Sequence, residues 1–164
     1  MRRIQTTNKS RKVTASYEFI QPMKRVLEEG DVSPAAVILV DDCKPGTYLV
    51  SDPTHKVPLY IDDSIEYYIE LPFNITDNYK LYVLAHEVGH VKQKHLTETN
   101  DLHLVVKEFQ AEMWALSLLH KMGINLTAKT VNEAKTNVLN TIEDSPEFVP
   151  PTDIILWAAN LLEE

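Results

Sequence analysis

The sequence predicts an α+β fold, with a small, mostly antiparallel sheet in the first half and helices through the second. Three observations carry this. Ile65, Tyr67, Ile69 and Leu71 alternate with Glu66, Tyr68 and Glu70, the period-two pattern of a strand with one buried face. Residues 81–95 are helix-compatible, with apolar Leu81, Val83, Leu84 and Ala85 leading into His86-Glu87-Val88-Gly89-His90. Residues 101–122 place Leu104, Val105, Phe109, Met113, Leu116 and Leu119 on one side of a long helix.

Taken in order, residues 17–29 read as a helix. Phe19, Ile20, Met23, Val26 and Leu27 recur at helical spacing, and Gly30 follows as a C-terminal cap. Pro22 disturbs this helix or marks its start just after Gln21. Residues 36–40 form a short buried strand, and Cys43-Lys44-Pro45-Gly46 is a turn that returns residues 48–50 as its partner. Residues 57–61 are a third strand, with Pro58 at an edge or irregular position. Residues 65–71 complete a sheet of about four strands. Thr76 or Asp77 caps the following helix. After the polar connection 97–100 and the helix 101–122, Gly123 is a stop signal. Thr127 caps a helix over 127–142, and three prolines lead to a last helix over 152–162. That helix packs its apolar side on the core.

Composition places the chain among ordinary globular proteins, with 44% apolar and 24% charged residues. Its 164 residues suit a single domain over 17–164 that can bury a core without staples. The net charge of −8 argues against a general nucleic-acid or membrane-surface binder. Arg2, Arg3, Lys9, Arg11 and Lys12 carry no acid among them, so residues 1–16 read as a basic, flexible N-terminal arm. Cys43 is the one cysteine, which excludes an internal disulfide and fits a reducing, cytoplasmic compartment. The first twenty residues lack the apolar core of a signal peptide, and no apolar run is long enough to span a bilayer.

The pentapeptide His86–His90 carries the chemistry. Residues four apart lie on nearly the same helix face, so both imidazoles can aim at one point. Two neutral imidazoles and a carboxylate suit Zn²⁺ with one open position. Glu87 sits beside that point as a general base for water. Gly89 costs about 1 kcal/mol in a helix, which makes sense if another element passes close to the backbone. A third histidine six residues after His90, as in metzincins, is excluded because Leu96 stands there. His95 falls about 140° from the face of His90 on a continuous helix, which makes it a helix-end cap or a substrate-side residue. The better source of a third ligand is the pair Glu108 and Glu112, four apart on one face. Ala111 and Ala115 on the same side let that helix come close, and a nearby dication offsets the repulsion between the two carboxylates.

His86-Glu87-Val88-Gly89-His90 followed by Glu108-Phe109-Gln110-Ala111-Glu112-Met113-Trp114-Ala115 resembles the gluzincin arrangement. More narrowly it is similar to the ImmA/IrrE family of small intracellular, M78-type metallopeptidases, in which H-E-x-x-H precedes a helix carrying E-x-x-A-[N/D/E]-x-[F/W]-A. The resemblance covers residues 65–120. It implies a zincin-like fold with the sheet packed on the motif helix, Zn²⁺ held by His86, His90 and Glu108, and Glu112 supporting a ligand histidine. It also implies site-specific cleavage of a protein or peptide substrate, such as a transcriptional repressor, in a bacterium or mobile element. His95 matches a histidine often found five residues after the second ligand. The family's Met-Pro after the second helix is missing from residues 116–123, and no helix-turn-helix segment is present. His95, His103, Tyr67 and Tyr68 are candidates for stabilising an oxyanion, and the strand 65–71 for pairing with an extended substrate. The competing reading is a protein of the same fold that sequesters a partner without cutting it. Intact Glu87 argues against that, because a binder has no use for a base.

Overall fold

A computed structural model describes residues 10–55, 61, 64–97 and 99–163. The fold is α+β, with a four-stranded mixed sheet and five α-helices among the described residues. The strands are β1 (Ser10–Lys12), β2 (Val37–Val40), β3 (Gly46–Leu49) and β4 (Tyr67–Leu71). The helices are α1 (Ile20–Glu29), α2 (Asn78–Lys92), α3 (Leu104–Lys121), α4 (Ala128–Glu143) and α5 (Thr152–Ala159).

The sheet order is β1-β2-β4-β3, antiparallel at both outer pairs and parallel between β2 and β4. Three strand expectations change. Residues 46–49 pair with β4 rather than returning against β2, so Pro45-Gly46 is not the turn of a hairpin. The segment after Val40 crosses the width of β4 instead, and β4 takes the central place. It does so because it has apolar side chains for both faces. Ile69 and Leu71 join Val37 and Leu39 against the helices, while Tyr68 is fully buried with Ile38 and Ile61 on the other face. The expected one-faced pattern therefore misplaced Tyr68. With neighbours on both edges, β4 also has no edge to offer a substrate, whereas β3 has a strand on one side only among the described residues. The third correction is at the N-terminus. Ser10–Lys12 enters the sheet, Val13 is buried and Ala15 bridges Ile75, so residues 10–16 are not part of the flexible arm expected over 1–16. The rest of that arm, and the strand expected over 57–61 apart from the buried Ile61, lie outside the described residues.

The helix ends show why sequence signals placed most boundaries within a few residues. Pro22 sits in the first turn of α1, where its missing N–H has no helical partner to lose. Asp77 caps α2 by accepting from the Lys80 backbone N–H at 2.8 Å, while Thr76 accepts from Lys80 Nζ. His103 caps α3 through Nδ1, so that helix starts at Leu104 rather than 101. Thr127 caps α4 as expected. The last helix stops at Ala159, short of 162. Lys135 Nζ takes the carbonyl of Asn160, and Asn132 pairs with the Leu162 backbone in both directions, peeling the chain onto α4. Ile154 and Ala158 of α5 are buried against Val105 of α3 and Val138 of α4.

Three helices end in Schellman turns, in which a left-handed residue lets the next N–H reach back to a carbonyl five residues earlier. In α3 the left-handed residue is Gly123, at φ 77. In α1 it is Asp31 (φ 56), while Gly30 is the C-cap, as expected, in right-handed conformation. Gly30 is needed for space, since a Cβ there would lie 2.0 Å from Val88 Cγ1 of α2. In α2 the left-handed residue is Lys94 (φ 56), and the His95 N–H bonds the His90 carbonyl at 3.0 Å. A non-glycine residue in this region costs about 1–2 kcal/mol, and glycine loses part of that gain to its own entropy. Lys94→Gly is therefore expected to stabilise the fold by about 0.5–1 kcal/mol. Urea unfolding should show a higher midpoint at unchanged slope; a lower midpoint would mean that the Lys94 side chain contributes more than its backbone strain.

Candidate metal centre

The centre lies where α2 and α3 cross. Leu81, Leu84, Ala85 and Val88 of α2 are buried in the main core, which fixes the rotation of the helix. His86 and His90 consequently face α3. The close approach that Gly89 was expected to serve is made by α3 itself: a Cβ at 89 would lie 3.1 Å from the carbonyl oxygen of Ala111. Ala111 and Ala115 are fully buried at this contact. Small residues on both helices thus bring the backbones together, and Glu108 and Glu112 reach the histidines.

His86, His90 and Glu108 converge. His86 Nε2 lies 3.1 Å from His90 Nε2 and 3.1 Å from Glu108 Oε2, and His90 Nε2 lies 3.5 Å from the same oxygen. This trio is the group of side chains among the described residues that could hold a metal ion. Glu112, only 1% exposed, meets the opposite nitrogen of His86. The Tyr82 hydroxyl donates to the same Glu112 oxygen at 2.6 Å. Glu112 can only accept, so His86 carries a proton on Nδ1 and turns Nε2 to the centre. Glu87, also buried, places Oε2 3.8 Å from His86 Nε2. Thr47 of β3 lies 3.0 Å from Glu87 Oε1 and 3.1 Å from its carbonyl, tying the edge strand to the motif. Asn137 of α4 donates to Glu108 at 3.2 Å.

The electrostatics follow from these contacts. Burial disfavours a charge on His86, but Glu108 and Glu112 outweigh it and hold its pKa well above 6.5. Burial likewise raises Glu108, yet the adjoining His86 and His90 imidazoles pull it well below the usual carboxylate range. Burial, and then Glu112, push the Tyr82 hydroxyl far above its ordinary range, so it remains a donor. The centre draws positive charge, either a proton on His86 or a cation. The donor set also fits an ion in size. A tetrahedral site with bonds of about 2.0–2.1 Å has ligand–ligand edges of roughly 3.3–3.4 Å, close to the three observed separations.

The cleft above the centre has a volume of about 390 Å³ and is walled by residues 45–48 on one side and by Leu104 and Lys107 on the other. Of the residues considered for an oxyanion, His95 is 3% exposed and contacts His90 Nδ1 and Gln110 instead. It reaches His90 because the Schellman turn breaks the helix, and it lines the cleft beside that histidine. His103 is engaged in its cap and stacks on Phe148. Tyr68 is sealed in the far face of the sheet. Tyr48 of β3 lines the cleft instead. Cys43 is no candidate nucleophile, because burial and then Glu70 push its thiol up to about 11.

Sequence reasoning had not singled out Thr47, Tyr82, Gln110 or Asn137. Tyr82, four residues before His86, was within reach of the spacing argument that paired His86 with His90. The other three come from separate elements and carry no local signal. No helix among the described residues is long and apolar enough to cross a membrane. No family model, curated protein or solved structure matches the chain.

Proposed function

We propose that this protein is a zinc-dependent metallopeptidase of the gluzincin type, with the zincin-like arrangement of a sheet beside its motif helix, acting on an extended segment of a regulatory protein. The observation that carries the reading is the convergence of two imidazole nitrogens and one carboxylate oxygen at tetrahedral separations, with Glu87 beside them and an open cleft above. The two nitrogens and one oxygen suit zinc. Bound there, zinc supplies Lewis-acid polarisation of the scissile carbonyl and acidifies water.

The chain's own residues do the rest. Glu87 accepts the proton of the attacking water and returns it to the leaving amine. Thr47 steadies Glu87 by its contact with Oε1. Glu112 and Tyr82 hold His86 in the tautomer that leaves Nε2 free. A substrate strand adds to the side of β3 that has no strand partner among the described residues, and residues 46–48 of β3 line the cleft.

The test is to load the purified protein with zinc and expose it to a proteome-derived peptide library. Cleavage is expected at about one zinc per chain, lost on chelation and restored by zinc. A zinc-loaded, folded protein that leaves the whole library intact would overturn the reading.

A further inference from the structure

One chain of contacts leads away from the centre and takes no part in the proposed reaction. His90 Nδ1 lies 2.8 Å from His95 Nδ1, and His95 Nε2 lies 2.8 Å from Gln110 Oε1. A neutral imidazole donates from one nitrogen and accepts at the other, so the chain has a direction. With Gln110 Oε1 accepting from His95 Nε2–H, the bare Nδ1 of His95 accepts from His90 Nδ1–H. His90 Nε2 is then a free lone pair. In the reverse direction an amide N–H donates to His95 Nε2, His95 Nδ1–H donates to His90, and the proton of His90 sits on Nε2. That is the atom facing His86 and Glu108. Only the first direction leaves room for an ion.

We propose that Gln110, acting through His95, is the positioning residue that fixes the tautomer of His90 and so completes the metal centre. The two ligand histidines are oriented by different means. His86 is set directly by a carboxylate, which can only accept. Glu87, Glu108 and Glu112 already crowd the centre, and a neutral relay orients His90 without a further negative charge. The Schellman turn at Lys94 makes the relay possible by folding His95 back over the last turn of α2. For the role of the ion the inference rests on the metallopeptidase reading; the direction of the chain is a property of the protein alone.

The experiment compares Gln110→Glu, which can only accept, with Gln110→Lys, which can only donate, and with neutral Gln110→Met. Position 110 is half-buried and borders a surface groove, so all three side chains have space. Zinc affinity is measured by competition with a chelating dye, and the His95 tautomer by nitrogen-15 NMR of the zinc-free protein. Wild type and Gln110→Glu are expected to carry the His95 proton on Nε2 and to bind zinc at least equally well. Gln110→Lys should move that proton to Nδ1 and weaken zinc by about ten- to a hundredfold, with Gln110→Met between them. Because the lysine charge alone repels zinc, the tautomer is the deciding readout. A wild-type His95 protonated on Nδ1, or one unmoved by Gln110→Lys, overturns the inference. A failed functional reading looks different: wild type takes no zinc, while His95 still reads Nε2–H and still switches in Gln110→Lys.

Discussion

Glu87→Gln is expected to lower peptide hydrolysis by about two to four orders of magnitude while zinc content and thermal stability stay at wild-type levels. The amide keeps the shape of the side chain and still presents an oxygen to Thr47, so the tie to β3 survives. It cannot accept the proton of the attacking water. Hydrolysis rate, zinc content and unfolding temperature need to be measured on the same preparation, because the prediction is a loss in the first with no change in the others. The substitution also separates an enzyme from a binding protein. If Glu87→Gln keeps the full effect of the protein on its target while His86→Ala abolishes it, the metal is structural and the protein acts by binding. If both variants keep that effect, function lies on another surface.

Zinc should be lost from Glu108→Ala and retained, more weakly, in Glu112→Gln. Glu108 offers the one carboxylate oxygen close to both Nε2 atoms, at 3.1 Å and 3.5 Å. Glu112 stands behind His86 and touches Nδ1, so its charge supports the ligand without reaching the ion. Glutamine at 112 keeps an acceptor for His86 and avoids the orphaned Nδ1–H and Tyr82 hydroxyl that alanine would leave in a buried site. Its expected cost is about ten- to a hundredfold in zinc affinity, and Glu108→Ala should exceed that. Competition with a chelating dye, backed by metal analysis after gel filtration, distinguishes the two. Zinc retained in Glu108→Ala and lost from Glu112→Gln would exchange the roles of the two glutamates.

The local chemistry of the centre was legible in the residue spacing. A helix puts positions four apart on one face whatever surrounds it, so His86 with His90, and Glu108 with Glu112, could be paired without knowing the fold. The glycine inside the motif announced a close neighbour, because its cost in a helix needs an offsetting contact, and α3 supplies that contact at Ala111. Caps were legible for the same reason: Asp77 and Thr127 act within three residues of themselves.

What spacing could not decide depends on which surfaces meet. Tyr68 read as solvent-facing because a strand's period reports alternation, not whether the second face is also covered, and β4 became central. Residues 48–50 read as a hairpin return because Pro-Gly marks a turn but not the strand that receives it. His95 lay off the ligand face of any continuous helix, and only the left-handed turn at Lys94 brought it beside His90. Gln110 acquired its place when that turn met α3. The sequence by itself determined which side chains share a helix face, His86 with His90 and Glu108 with Glu112, since that follows from the 3.6-residue repeat within single helices. The tertiary structure decided which glutamate meets both histidines, what orients them and which cleft lies above them, because those contacts join α2 to α3, α4 and β3 across long stretches of chain.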